Sequence, residues 1–235
     1  MARRAGFTLV ELLVVIAVIG ILAALAMTAA TVARRESQAS QCVSNLRQWS
    51  AAMILYVNDN GGYLPRRGQG VQPVFEINRP TDWFNALPPY LGTASFQALE
   101  SGSNGVRPPQ PGDKSIFVCP AATASSTGRY FLSYGMNMNL STWNQPGQEP
   151  TKLVRVPNPE LLAFMADSPG GYASTVPSAH QYNVDPRHNG YANVSFLDGH
   201  VQAFAGSYLG CGAGEIEQRD VRWNPDIPGI TWMAP

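Results

Sequence analysis

From Leu12 to Ala33 the chain runs 22 residues without a charge, and only Thr28 and Thr31 interrupt the apolar side chains. At 1.5 Å rise per residue such a helix is about 33 Å long, enough for a hydrocarbon core of ~30 Å. Past Ala33 the all-round apolar character gives way to a stripe. Ala39, Cys42 or Val43, Leu46, Trp49, Met53 and Tyr56 or Val57 recur at three- and four-residue steps, which is one face of a helix. Asn45, Arg47 and Gln48 fall on its remaining surface. Asn58-Asp59-Asn60-Gly61-Gly62 then offers a glycine cap. The pattern therefore predicts one helix over residues 7–57, roughly 75 Å long. Residues 12–33 form its membrane-spanning part, and the amphipathic half is a spine for a globular head.

After Gly62 the helical period is lost among turn-rich stretches at 65–73, 101–112 and 144–150. Short runs bounded by Gly, Pro, Asn, Asp or Ser read as strands: Ile116–Cys119, Tyr130–Tyr134, and Leu161–Ala166 ahead of Asp167-Ser168-Pro169. Residues 82–87 read as a short helix. Tyr191–Leu197 and His200–Phe204 flank Asp198-Gly199, a hairpin pattern whose tight turn needs positive φ at both central residues. Val194 and Phe196 share one face, as do Val201 and Ala203, so one side of the hairpin can pack on the spine. The expected fold is α+β: one long N-terminal helix packed on an antiparallel β-sheet head with long loops.

Composition narrows the class. Charged residues are 14% of 235, apolar residues 45%, and Gly plus Pro number 41. This is neither a polar disordered chain nor a polytopic membrane protein, because one long uncharged run exists. Sixteen basic and sixteen acidic residues cancel. Residues 36–235 hold twelve basic and fifteen acidic groups, a formal −3 that gives no phosphate-binding signal.

The N-terminus carries the sharpest chemistry. Arg3-Arg4 and Arg34-Arg35 bracket the apolar run, so charge alone leaves its orientation open. A secretory signal has an apolar core of some 7–15 residues, shorter than this one. Glu11 stands at the entrance of the run, where an ionised group costs on the order of 2–4 kcal/mol and asks for a cation. A snorkelling residue at headgroup level is the alternative. Gly6-Phe7-Thr8-Leu9-Val10-Glu11 followed by the apolar run resembles the type III signal of type IV pilins and pseudopilins. The resemblance implies cleavage after Gly6 by a prepilin peptidase and N-methylation of Phe7. It also implies that Glu11 pairs with the α-amino group of a neighbouring subunit's Phe7 during filament assembly. Residues 1–6 are then a leader, 7–57 the pilin helix and 58–235 the head. Many pilins carry a kinking proline in the apolar segment; here Thr28 stands in that neighbourhood, so a straighter helix is expected.

A second resemblance lies near the other end. His188, nine residues, then Asp198-Gly199 is similar to the prepilin-type processing-associated H-X9-DG ending, and Cys42-x-x-Asn45-Leu46, Cys119-Pro120 and Tyr134–Asn137 fit proteins that carry it. His180, Asp185, His188, Asp198 and His200 lie within 21 positions and include transition-metal donors, but in no compact ligand spacing. The favoured reading makes His188, Asp198 and Gly199 structural, with His188 hydrogen-bonded near the turn, to Asp198, and no cofactor. By analogy with calcium-binding pseudopilins, Asp220 and Asp226, with Glu215 and Glu217, are weak candidates for that ion. Three cysteines allow three single pairings. Cys42 with Cys119, tying spine to sheet, is favoured over buried unpaired thiols, leaving Cys211 free or linked to another subunit.

These features predict a non-enzymatic structural subunit of a type IV pilus or a type II secretion pseudopilus. Its partners are the prepilin peptidase, other pilin or pseudopilin subunits and an assembly platform. It sits single-pass in the bacterial inner membrane, head outside the cytoplasm, and then in a periplasmic or extracellular filament. The alternative is an anchored or filament-tip module whose head recognises a secreted substrate, a glycan or DNA.

Overall fold

The computed structural model describes residues 9–68, 73–101, 107–123, 129–140, 151–214, 216 and 218–225. It divides into two compact units, Met1–Gln38 and Ala39–Pro235.

In the first unit, helix α1 (Leu9–Asp59) begins and runs without a break. Residues 9–37 are all exposed, Leu, Ile, Val and Met included. The two hydroxyls within the apolar run are satisfied locally: Thr28 donates to the Leu25 carbonyl and Thr31 to that of Thr28, both at 2.8 Å. Neither adds an unmet polar group to the run.

In the second unit the stripe is read out as burial. Cys42, Leu46, Trp49, Met53 and Val57 enter the larger of two apolar clusters, with Ala52 beside them. The helix ends as its glycines require: Gly61 and Gly62 take positive φ, and Gly62 N–H closes on the Val57 carbonyl at 2.9 Å. One assignment from the periodicity changes. Asn45 is buried and donates to the Val118 carbonyl and the Tyr134 hydroxyl, because the stripe widens where the head covers it.

The head adds α2 (Trp83–Ala86), α3 (Phe96–Glu100), β1 (Tyr134–Asn137), β2 (Ala163–Asp167), β3 (Ser174–Thr175), β4 (Tyr191–Phe196), β5 (Val201–Ala205) and α4 (Gly206–Leu209). The five strands form one sheet in the order β3-β1-β2-β4-β5. Every pairing is antiparallel except β1 with β3, so the sheet is mixed at one edge. The layout is the expected α+β, pilin-like one. Both faces are covered. Phe164 and Met165 belong to the cluster that contains the α1 residues, while Ala192, Val194, Phe196 and Phe204 pack with Val184, Leu209 and Trp223 in a second cluster. Of the hairpin, Val201 meets the spine's cluster; Val194 and Phe196 face the other way.

Three local expectations are corrected. Residues 116–119 form no strand. Their backbone groups are taken by side chains instead: Trp49 Nε1 donates to the Ile116 carbonyl, Asn45 to that of Val118, and Cys119 N–H donates to Ser133 Oγ. The strand expected at 130–134 starts at Tyr134, because Arg129 and Tyr130 N–H close on the Val74 carbonyl and Ser133 N–H on that of Phe117. The Asp198-Gly199 turn is not the two-residue type. Gly199 N–H bonds the Phe196 carbonyl and only Gly199 takes positive φ, 99°, which makes Leu197-Asp198-Gly199 a three-residue loop with a glycine bulge.

Candidate functional site

The doubly left-handed turn lies nine residues earlier, at Asn189-Gly190. Asn189 (φ 54°) and Gly190 (φ 85°) join His188 to Tyr191, whose backbones exchange two hydrogen bonds of 3.0 Å. Asn-Gly is the pair best suited to that geometry, and the turn fixes His188 directly ahead of β4.

His188 is therefore held in the interior, its side chain 8% exposed. Its Nε2 lies 3.6 Å from Cys119 Sγ and 3.3 Å from Asp167 Oδ2. Cys119 is bonded to Cys42, a disulfide closing 77 residues of chain between α1 and the head. Asp167, at the end of β2, is fully buried, and its Oδ2 accepts from both the backbone and the side-chain amide of Asn193 on β4. Its Oδ1 has no hydrogen-bond partner among the described residues. Tyr134, the residue opposite Asp167 on β1, is also buried. Burial first, and then the Asp167 charge, push its phenol well above the ordinary range. It stays protonated at any physiological pH.

Asp198 takes no part in this cluster. Its carboxylate receives the backbone N–H and Nδ1 of His200, at 3.1 and 2.7 Å, and the His200 ring stacks on Phe196 at 4.1 Å. The expected His188–Asp198 bond is thus corrected: alternation places His200, not His188, over the turn. The other members of the sequence cluster also disperse. His180 stacks on Tyr182, and Asp185 pairs with Arg187 at 3.0 Å. Among the described residues, the donors that converge are Cys42, Cys119 and His188, within 4.8 Å of one another. Asp167 and Asn193 were missed in the sequence because Asp167-Ser168-Pro169 reads equally well as a strand stop.

Cys211 is a free thiol, which burial and the nearby Asp185 charge push up to about 11. It is a thiol rather than a nucleophilic thiolate near neutral pH. Of the calcium candidates, Asp220 accepts the Tyr208 hydroxyl at 2.7 Å, while Asp226, Glu215 and Glu217 lie outside the described residues. Gly6 and Phe7 also lie outside them; Glu11 stands in the first turn of α1.

Residues 1–27 match the family model described as the prokaryotic N-terminal methylation motif. No curated protein and no solved structure matches the chain. The motif, with the apolar helix that follows it, supports a type IV pilin-like or pseudopilin subunit, a structural component rather than an enzyme. Such a motif implies processing by a prepilin peptidase and assembly with other pilin subunits, with membrane anchoring before the filament.

Proposed function

We propose that the chain is a prepilin-like subunit of a type IV pilus or type II secretion pseudopilus, cleaved after Gly6 and N-methylated at Phe7. The observation that carries the reading is the methylation motif leading directly into a helix whose apolar side chains are all exposed over residues 9–33. Left in water, that surface would cost about 25 cal/mol per Å². Lipid covers it before assembly and neighbouring helices cover it afterwards. Glu11 supplies the polar specificity, pairing with the new α-amino group of an adjacent subunit's Phe7. The inner membrane holds the subunit single-pass with its head outside the cytoplasm, where the Cys42–Cys119 disulfide persists. The H-X9-DG segment serves the head's architecture: His188 anchors the start of β4, and Asp198-Gly199 turns β4 into β5.

Intact and N-terminal peptide mass spectrometry of the membrane-extracted protein tests this. A chain that begins at Phe7 with one added methyl group is expected. A chain retaining Met1 and Arg3-Arg4 in peptidase-competent cells overturns it and leaves a plain signal-anchored protein.

A further inference from the structure

The three converging donors come from distant parts of the chain: Cys42 from α1, Cys119 from the loop before Pro120 and His188 from the turn before β4. Asp167 adds a carboxylate from the end of β2. The sulfur of Cys119 and the oxygen of Asp167 both approach the same ring nitrogen, Nε2. A relay of the Asp-His-Cys kind needs its partners on opposite nitrogens, so this arrangement cannot pass a proton through the ring. The Cys42, Cys119 and His188 donor atoms lie within 4.8 Å of one another, close enough to share one ion. In a tetrahedral zinc site with Zn–S about 2.3 Å and Zn–N or Zn–O about 2.0–2.1 Å, sulfur and nitrogen donors stand ~3.6 Å apart and nitrogen and oxygen donors ~3.3 Å. The spacings in the oxidised chain are 3.6 and 3.3 Å; the two sulfurs, bonded to each other there, must part to about 3.8 Å on reduction to share one zinc. Asp167 is held by Asn193, which donates twice to the nearer oxygen, Oδ2, while its other buried oxygen, Oδ1, has no hydrogen-bond donor among the described residues.

We propose that the dithiol form of the head holds one zinc-class divalent cation through Cys42 Sγ, Cys119 Sγ, His188 Nε2 and the Asp167 carboxylate. Metal and disulfide are then alternative occupants of one buried position, and each ties α1 to the sheet. Binding transfers no electrons: the cation displaces one proton from each thiol, and both protons go to solvent. Oxidation by an external protein disulfide forms the Cys42–Cys119 bond and breaks the external one. The external sulfurs take up two electrons and two protons as a dithiol, and the cation leaves. The cation thus holds the two cysteines in register until oxidation replaces it with a covalent link.

Cobalt(II) titration of the full chain in detergent micelles, reduced with a phosphine under anaerobic conditions, tests this directly. One cobalt per chain is expected, with sulfur-to-metal charge transfer in the near ultraviolet and tetrahedral d–d bands in the visible. Zinc displaces it, and the oxidised chain shows neither band. Cys211→Ser leaves the spectrum unchanged, whereas His188→Ala and Asp167→Asn weaken binding at least tenfold and shift the d–d bands. Should reduction loosen the head, zinc restores the near-ultraviolet circular dichroism of its buried tryptophans. The proposal is overturned by a reduced chain without charge transfer, by binding that survives His188→Ala unaltered, by dependence on Cys211, or by a loosened head that zinc does not restore.

Discussion

Two buried acids in the head are treated differently by their surroundings. Asp167 has Asn193 and His188 within reach, whereas neither carboxylate oxygen of Asp82 has a hydrogen-bond partner among the described residues, although the residue is 1% exposed. Burial pushes its carboxyl up to about 6, and Arg79 and Arg66 only partly offset this. A carboxyl raised in the folded state binds its proton more tightly there than when unfolded. Its penalty is therefore absent below about pH 4 and complete above about pH 6, so stability falls as pH rises through that window. Asp82→Asn is expected to flatten this slope and to stabilise the protein at pH 7, by at most about 3 kcal/mol. Urea denaturation of both proteins at pH 4 and pH 7 measures it. The opposite sign is expected at His188, whose removal leaves Asp167 with one partner fewer. His188→Ala should cost about 1–3 kcal/mol.

At the level of elements, the two turns that bracket β4 can be compared. Gly190 and Gly199 both have positive φ, but a Cβ added at Gly190 would meet nothing within 4 Å, while one at Gly199 would touch Ile54 at 3.4 Å. Alanine at Gly190 thus isolates the backbone term, and a loss of about 1–2 kcal/mol is expected in a urea melt. Gly199→Ala should lose at least as much. The disulfide acts over a longer range. It closes 77 residues of chain, for which loop entropy gives about 4.5 kcal/mol. Comparing oxidised and reduced protein in the presence of a chelator should show a loss of that order. The chelator keeps any bound cation from masking it.

On the scale of the whole molecule, the boundary at Gln38 separates chemistries. Every described residue before it is exposed, while from Cys42 onward α1 contributes side chains to a closed apolar cluster. A chain beginning at Ala39 is therefore expected to stay folded and soluble without detergent, keeping both clusters and the disulfide. The full chain should need micelles or lipid. Size-exclusion chromatography with near-ultraviolet circular dichroism distinguishes the two; an aggregated or unfolded fragment would show that the head depends on the preceding residues.

What a local pattern determines was legible in the sequence. The apolar run, the stripe from Cys42 to Val57, the glycine cap and the β4–β5 hairpin rest on neighbours one to four residues apart, and such spacings survive any tertiary arrangement. Asn189-Gly190 was equally local, and its turn chemistry could have been read in the same way. The loss of the strand at 116–119 was not local. It follows from Trp49, Asn45 and Ser133 claiming its backbone groups from 14 to 73 residues away. Nor could spacing reveal that His188 meets Asp167 and Cys119 instead of Asp198, since they stand 21 and 69 positions away along the chain. Only the packing of the helix, the sheet and two loops brings those atoms together, because burial forces polar groups to find partners wherever the fold has placed them.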